Sequence, residues 1–231
     1  RQTLKGTTGN NTEATAKTYT GFITPTVDQE PIKGDGSTVI TIKYARKEIT
    51  LTFELNGGNI NGKTDSVTVT GKYEEAVTKP TDLKKVGYTF SGWNPELPEK
   101  FPAEDKTYTA QWAREGDYTI TYNLNDGTNH SGNPQSYNVE TPTIELKKAS
   151  RTGYTFKGWY SNEACTGTSV EKIEKGSTGN KVFWAKWEPK TDTKYTVRHL
   201  QEGLDGKYGE VEADRQTLKG TTGNNTEATA K

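Results

Sequence analysis

Histidine and cysteine, the residues best suited to acid–base, nucleophilic or metal chemistry at neutral pH, are few in this sequence and widely scattered. The two histidines, His130 and His199, lie in a loop and on a predicted strand of different segments, and neither has a cysteine, histidine or carboxylate at metal-ligand spacing. Cys165 is the single cysteine, which excludes an intrachain disulfide. We therefore expect solvated histidines and an isolated loop thiol, with no metal and no cofactor.

Carboxylates give no better case for catalysis. Glu99, Glu104 and Asp105 cluster among prolines, which predicts a solvated loop rather than an acid–base pair. Residues 125–127 (Asn-Asp-Gly) and 35–36 (Asp-Gly) could contact a cation, but hairpin turns prefer the same residues. The sequence contains no nucleophile elbow, phosphate-binding loop or EF-hand loop. It therefore predicts a protein that is not an enzyme.

The strongest pattern in the chain is an aromatic heptapeptide that occurs twice. Residues 87–93 read GYTFSGW and residues 153–159 read GYTFKGW. An alternating strand and an Asn-Gly-Gly or Asn-Asp-Gly turn precede each copy, and a strand that closes on tryptophan follows it. Such a repeat indicates one supersecondary unit used more than once. The signature positions of the two copies are Gly87, Tyr88, Phe90, Gly92, Trp93, Trp112, Gly153, Tyr154, Phe156, Gly158, Trp159 and Trp187.

These aromatic residues suit either a buried core or an exposed binding platform. Four tryptophans recur at matched positions in the two copies, which favours the core of a small domain poor in aliphatic residues. They are Trp93, Trp112, Trp159 and Trp187. Trp184 has no counterpart, because Thr109 occupies its place in the first copy. It is our weak candidate for an exposed, ligand-binding aromatic residue.

Composition limits the architecture and the partners. Only 29% of the 231 residues are hydrophobic, which suits several small domains with thin cores better than one large core. The 30 acidic and 30 basic residues balance, so we expect no broad basic surface for nucleic acid. Apolar runs are too short to span a membrane.

The two ends of the sequence repeat each other. Residues 1–17 and 215–231 are identical at all 17 positions, which predicts a tandem duplication with a period of 214 residues in a parent protein. The alternative is an artificial overlap. Within residues 1–46, Asn10 to Glu13 has the spacing of a capping box and predicts a helical turn up to Lys17. Alternation predicts strands at 18–22, 37–44 and 194–200.

Residues 1–46 and 191–231 hold the two parts of a further module, because joining residues 194–231 to residues 18–46 produces one complete module of 67 residues. The joined module resembles the mucin-binding-protein repeats of Gram-positive surface proteins, with an opening YTV strand, an Asp-Gly turn and a closing TVITIKY strand. Two parts from neighbouring molecules could complete one module, which predicts possible head-to-tail self-association with one duplicated segment displaced.

Residues 47–116 and 117–190 resemble the Listeria–Bacteroides repeat, also called the internalin-type B repeat. The strand with its Asn-Gly-Gly or Asn-Asp-Gly turn, the GYTFxGW heptapeptide and the closing tryptophan carry this resemblance. It implies mainly β (α+β), β-grasp-like modules: a small mixed sheet with a short helical or irregular crossover. The predicted architecture is a linear array of three small domains, one of them cut between the termini.

The resemblances imply a bacterial surface protein, extracellular and at the cell surface or cell wall. Our main hypothesis is a non-enzymatic stalk segment of an adhesin, whose repeats bind host mucin, extracellular-matrix protein or glycan weakly but in many copies. The alternative is a purely structural spacer without a ligand.

Overall fold

The computed structural model describes residues 2–229; Arg1, Ala230 and Lys231, which belong to the duplicated segment, lie outside the described residues. The chain divides into two compact units, one ending at Arg114 and the other starting at Glu115. The described residues contain no α-helix and a single short 3-10 helix, Glu212–Asp214. None of their helices could span a membrane. The mainly β prediction is therefore confirmed.

The N-terminal unit is built on one four-stranded mixed sheet. Its order is β3-β1-β6-β5, in which β1 pairs with β6 in parallel and the outer pairs are antiparallel. The short strands β2 and β4 form a separate pair. The strands of this unit are β1 (Glu48–Glu54), β2 (Asn59–Ile60), β3 (Val67–Lys72), β4 (Leu83–Lys84), β5 (Tyr88–Asn94) and β6 (Lys106–Arg114).

The C-terminal unit repeats this sheet and adds small hairpins. Its strands are β7 (Tyr118–Asn123), β8 (Ser136–Tyr137), β9 (Ile144–Glu145), β10 (Tyr154–Tyr160), β11 (Lys172–Ile173), β12 (Lys181–Pro189), β13 (Thr193–Val197), β14 (Leu200–Glu202), β15 (Tyr208–Glu210) and β16 (Gln216–Gly220). The sheet order β10-β12-β7-β8 has the same topology as the first, with β12 parallel to β7. The remaining pairs are β9 with β11, β13 with β16, and β14 with β15.

Both sheets have the 2-1-4-3 strand order of a β-grasp, counted along the repeat. The crossover is irregular rather than helical: Leu83 and Lys84 pair with Ile60 and Asn59 instead of forming a turn of helix. The first and last strands of the repeat can pair in parallel because a long crossover connects them, as every parallel pair requires. The four-segment division predicted from the sequence remains a prediction.

The core of each sheet lies on one face. Ile49, Leu51 and Phe53 alternate along β1 and are buried, as the sequence pattern predicts, and Tyr108 and Ala110 of β6 join them. The matching core of the second sheet contains Ile120, Trp159, Phe183 and Ala185. Aromatic rings supply about half of the buried residues of the two cores, which compensates for the shortage of aliphatic residues.

The predicted helical turn at residues 10–17 is wrong. The Thr12 hydroxyl donates to the side chain of Gln29 (2.8 Å), and the Gln29 amide accepts from the Ala14 N–H (3.0 Å) and donates to the Ala14 carbonyl (2.8 Å). These bonds hold the segment extended. A side chain that offers such partners competes with helix formation.

The predicted strands at 18–22 and 37–44 are also wrong as regular strands. Only an isolated bridge, Phe22 with Arg46, forms there. By contrast, the predicted strand at 194–200 is present as β13, which pairs with β16, and it breaks before Leu200. A strand pattern produces a strand only where a partner edge exists to accept its hydrogen bonds.

Candidate functional site

The heptapeptide strand of each repeat contains a β-bulge at its second glycine. The register of β5 against β6 shifts between Phe90 and Gly92, and Gly92 has a φ of 134°. Simple alternation would place Trp93 on the face opposite Phe90, since the two residues are three apart. The extra residue of the bulge returns the indole to the Phe90 face. The position of Gly92 directly before Trp93 in the sequence predicts such a bulge, and the register shift confirms it.

The bulge creates a cluster of aromatic rings in both copies. Trp93 meets Phe90 edge to face at 5.3 Å and Phe53 at 4.9 Å, and Phe90 meets Trp112 at 5.6 Å. In the second repeat Phe156 contacts both Trp159 and Trp187 at 5.3 Å. Edge-to-face contacts at such distances stabilise beyond area burial.

The closing tryptophan of each repeat is joined to the first turn. The Trp112 indole N–H donates to the Leu55 carbonyl (3.0 Å), and that of Trp187 donates to the Leu124 carbonyl (2.8 Å). A methyl group at Gly58 would lie 2.2 Å from Cζ2 of Trp112. Glycine is therefore required in this turn because the ring lies against the backbone.

A cation stacks on the signature tyrosine in each repeat. The Lys85 Nζ lies 4.7 Å from the Tyr88 ring centroid and donates to the Asn56 carbonyl (3.0 Å). The Arg151 guanidinium lies 4.0 Å from the Tyr154 ring centroid and pairs with Asp126 at 3.1 Å. Our sequence analysis did not single out these cations, although both stand three residues before the tyrosine. Cation–π contact of this kind stabilises the turn.

A polar residue before the last strand of each repeat holds the start of the first strand. The Asp105 carboxylate accepts from the Thr50 N–H (2.7 Å), and Asn180 accepts from the Thr119 N–H (2.9 Å). Asp105 therefore has a structural partner, whereas the sequence suggested only a solvated loop. Glu99 and Glu104 are exposed.

The histidines and the cysteine form no reactive group. His130 is exposed and its Nδ1 accepts from the Gly132 N–H (2.9 Å). The Nε2 of His199 is buried without a hydrogen-bond partner, so the prediction of a solvated histidine fails there. Cys165 is buried rather than exposed in its loop. Among residues 2–229, no group of three acidic, histidine or cysteine side chains is placed to hold a metal ion.

Titration of the buried tyrosines reflects packing. Burial raises the pKa of Tyr122 to about 12, and its hydroxyl donates to the Pro134 carbonyl (3.1 Å). Burial also raises the pKa of Tyr108 and of Tyr137. A phenol is already neutral at physiological pH, and burial makes its ionisation harder still.

Trp184, the candidate aromatic residue, is half-buried on the outer face of the second sheet. It pairs across the strands with Tyr160 and Asn123. The neighbouring Lys186 ammonium lies 5.1 Å from the Tyr160 ring centroid and donates to the Cys165 carbonyl (3.0 Å). The loop with Cys165 thus covers part of this face, and Trp184 remains a weak candidate.

The described residues offer shallow, open depressions rather than clefts. One, of about 510 Å³, is lined by polar groups that include Asp126, Arg151 and Tyr154. Another, of about 440 Å³, is lined by residues 102–106. Neither arrangement encloses a small molecule as ligand pockets do.

The comparison with protein families decides what these repeats are. The model of the Listeria-Bacteroides repeat domain matches residues 50–111 and 118–186, which cover most of both sheets and both heptapeptides. The chain belongs to this family.

Similar curated proteins agree with this assignment. A putative Gly-rich membrane protein of Evansella cellulosilytica is 27% identical over 208 residues, covering 85% of this chain and 22% of the relative. A second putative membrane protein of that organism is 26% identical over 179 residues, covering 72% and 25%. Internalin H of Listeria monocytogenes is 34% identical over 142 residues, covering 56% and 24%. The chain thus spans about a quarter of the length of these relatives.

The chain is therefore a non-enzymatic tandem-repeat segment, and the relatives to which it is similar are named as membrane proteins and as an internalin. In both repeats the signature phenylalanine and tryptophan residues build the aromatic cluster, and the closing tryptophan bonds to the turn beneath it.

Proposed function

We propose that this segment is a stalk of a bacterial surface protein, made of β-modules in series that hold other domains away from the cell. The observation that supports this is the placement of the signature tryptophans. Their rings pack on Phe90 and Phe156, and the Trp112 and Trp187 N–H groups bond to backbone carbonyls. Side chains committed to packing in this way are suited to stiffness rather than to recognition.

The family membership and the repetition within the sequence support the same proposal. Repeat proteins gain length by adding units, since each unit contacts only its neighbours. Small-angle scattering of proteins with one and three copies of the 214-residue period is the direct test. A stalk increases its maximum dimension in proportion to copy number, whereas an array that collapses to a globule contradicts the proposal.

Weak binding of host glycoprotein or glycan is the second candidate function, and mucin and extracellular-matrix proteins are the ligands to test. The position of Trp184 favours such binding, because this half-buried indole lies on the outer face of the sheet beside Tyr160. Weak sites gain useful avidity when they are repeated.

Binding of one-period and three-period proteins to immobilised mucin, fibronectin and a glycan panel separates the two candidates. A spacer stays inert at every copy number. A binder gains signal with copy number and loses it on Trp184→Ala, while the matched outer-face change Val182→Ala leaves it intact. Gain without sensitivity to Trp184 would place the site elsewhere on the repeat.

A further inference from the structure

The first and last strands of each repeat are neighbours that run in the same direction. In the first repeat β1 pairs with β6 from Leu51 opposite Lys106 to Glu54 opposite Thr109. In the second repeat β7 pairs with β12 over the same number of positions. The chain therefore enters each sheet on one central strand and leaves it on the adjacent central strand.

This arrangement decides how a pulling force acts on the sheet. A force along the chain pulls on the amino end of β1 and on the carboxyl end of β6, which lie at opposite ends of the parallel pair. The two strands are then pulled past each other in shear, so their hydrogen bonds resist the force together. The antiparallel pair of β1 with β3 would instead open one bond at a time if it were pulled at Glu48 and Lys72, which are partners.

A side-chain hydrogen bond joins the two parallel strands where their pairing begins. Asp105, directly before β6, accepts from the Thr50 N–H of β1 at 2.7 Å. Asn180, directly before β12, accepts from the Thr119 N–H of β7 at 2.9 Å. The same position is therefore fastened in both repeats, although the residue type differs.

Two more side-chain bonds join the strands where their pairing ends. The turn asparagine after the first strand donates to the last strand, from Asn56 to the Ala110 carbonyl (3.0 Å) and from Asn125 to the Ala185 carbonyl (2.9 Å). The indole of the closing tryptophan donates in the other direction, to the carbonyl just after the first strand, in both repeats. Each parallel pair thus has three side-chain bonds in addition to its backbone ladder.

Burial keeps water away from the parallel pair of the first repeat. Leu51 and Phe53 of β1 are fully buried, as are Tyr108 and Ala110 of β6. The rings of Phe53 and Tyr108, which are partners across the pair, stack at 5.7 Å. A hydrogen bond is stronger in such a water-poor interior, where no solvent molecule replaces a partner as the bond stretches.

We infer that the parallel pair of each repeat is a force-bearing clamp, which keeps the repeat folded while the chain is under tension. This inference rests on the proposed stalk function, since a stalk transmits tension whenever its outer end is held. The clamp consists of β1 with β6 in the first repeat and β7 with β12 in the second. It gives the turn asparagine and the closing tryptophan a mechanical role that a spacer without tension does not need.

Single-molecule pulling on the full chain through its two ends tests the inference. Each repeat should unfold in a separate event that releases about 20–25 nm of chain. Asp105→Ala should lower the unfolding force of the first repeat, while the unchanged second repeat serves as the internal reference. Asp105→Asn, which copies Asn180, should restore the parent force.

Gly92→Ala is the matched control for loss of stability outside the clamp. Gly92 lies on β5, which is not part of the parallel pair. Forced unfolding is governed by the barrier to unfolding and not by the equilibrium free energy. Gly92→Ala should therefore lower the free energy of unfolding in urea and leave the unfolding force close to that of the parent.

A second pulling direction tests the clamp without changing any of its bonds. Lys47→Cys and Lys72→Cys place handles on two exposed positions beside the paired ends of β1 and β3, in a Cys165→Ala background that leaves no other thiol. Pulling between these handles peels β1 away from its neighbours bond by bond. The first repeat should therefore open at a lower force than it does when pulled along the chain.

Two results overturn the inference. One is an unfolding force of the first repeat that is equal in the two directions. The other is a force that Asp105→Ala and Gly92→Ala lower in proportion to their losses of equilibrium stability, because the force then reports stability and no clamp. Failure of the stalk itself would appear separately, as a collapsed array in the scattering experiment.

Discussion

The rings of Phe90 and Trp93 meet edge to face at 5.3 Å and 65°, although the two residues are three apart on one strand. Phe156 and Trp159 repeat the relationship at 5.3 Å and 66°. The bulge at Gly92 or Gly158 is what makes it possible, since it rotates the following residue to the other face. The heptapeptide is therefore a device for placing two aromatic rings on one side of a strand.

Substituting the bulge glycine should destabilise the repeat through its backbone. Gly92 has a φ of 134° and open space around its Cα hydrogens, so Gly92→Ala adds backbone strain without a clash. We expect a loss of about 1–3 kcal/mol in the free energy of unfolding. Urea denaturation followed by tryptophan fluorescence measures it.

Substitutions of two further glycines are the comparisons for the stability loss at Gly92. Gly158→Ala should be worse, because its methyl group would also lie 2.9 Å from the Ser169 Cβ. Gly116 has open space without a positive φ, so Gly116→Ala should change stability by less than about 0.5 kcal/mol. Equal losses at all three positions would contradict the bulge argument.

Gly58→Ala should be destabilising mainly because its methyl group displaces the Trp112 ring. The Gly58 Cβ would lie 2.2 Å from Cζ2 of that ring, and no backbone atom is among its closest neighbours. In a Trp112→Leu background the loss should shrink, with a coupling energy of about 0.5–3 kcal/mol in a double-mutant cycle. Unfolding free energies of the four proteins measure it.

The second repeat supplies the matched comparison for this cycle. A methyl group at Gly127 would meet the Trp187 ring at 2.4 Å and also the Leu124 and Ser150 carbonyl oxygens at 3.0 and 3.1 Å. Gly127→Ala should therefore stay destabilising even with Trp187→Leu. If the stability losses of Gly58→Ala and Trp112→Leu simply add, the clash with the Trp112 ring does not cause the destabilisation.

Two substitutions of Asp105 should show whether its charge or its hydrogen bond stabilises the repeat. Asp105→Asn copies Asn180, which holds the equivalent Thr119 N–H, and should be nearly neutral. Asp105→Ala leaves the Thr50 N–H without its partner at 2.7 Å and should lower stability by about 0.5–1.5 kcal/mol. Thermal unfolding of the two variants and the parent protein measures both changes. If Asp105→Asn and Asp105→Ala lose equal stability, the charge of Asp105 matters instead of its hydrogen bond.

The pair of strands β13 and β16 should lose stability in acid. Hydrogen bonding to Arg198, with further attraction from Arg215, lowers the pKa of Glu210 below its ordinary 4.5. A carboxyl group whose folded pKa is depressed contributes stability above its unfolded pKa, and that contribution disappears as the pH falls through the folded value. The protection factors of the β13 and β16 amides, which compare measured exchange with the intrinsic rate at the same pH, should therefore fall below about pH 4.5.

Glu210→Gln is the control for this pH dependence. The variant lacks the titrating group, so the protection factors of β13 and β16 should be lower at neutral pH and vary less between about pH 3 and 6, which spans the ordinary range of about 4–5 for this group. Retention of the full acid sensitivity would assign it to other groups, such as Glu212, which lies 3.6 Å from Arg215.

The sequence by itself determined the repeat, its main strands and the buried face of its first strand. Alternation in residues 49–55 is enough to define the buried face of β1, since side chains on a strand point to opposite faces in turn. A glycine before tryptophan was enough to predict the bulge. These features are local, so a single sequence records them.

Only the tertiary structure decided which strand-forming segments become strands and which polar groups have partners. The 17 identical residues at the two ends show this most directly: β16 forms where Thr193–Val197 lies beside it, and residues 2–6 form no strand. The sequence likewise indicates only a loop carboxylate at Asp105. The parallel pairing of β1 with β6 is what places the Thr50 N–H against it. Strand hydrogen bonds connect residues distant in sequence, so the neighbouring strand, and not the segment's own pattern, completes the decision.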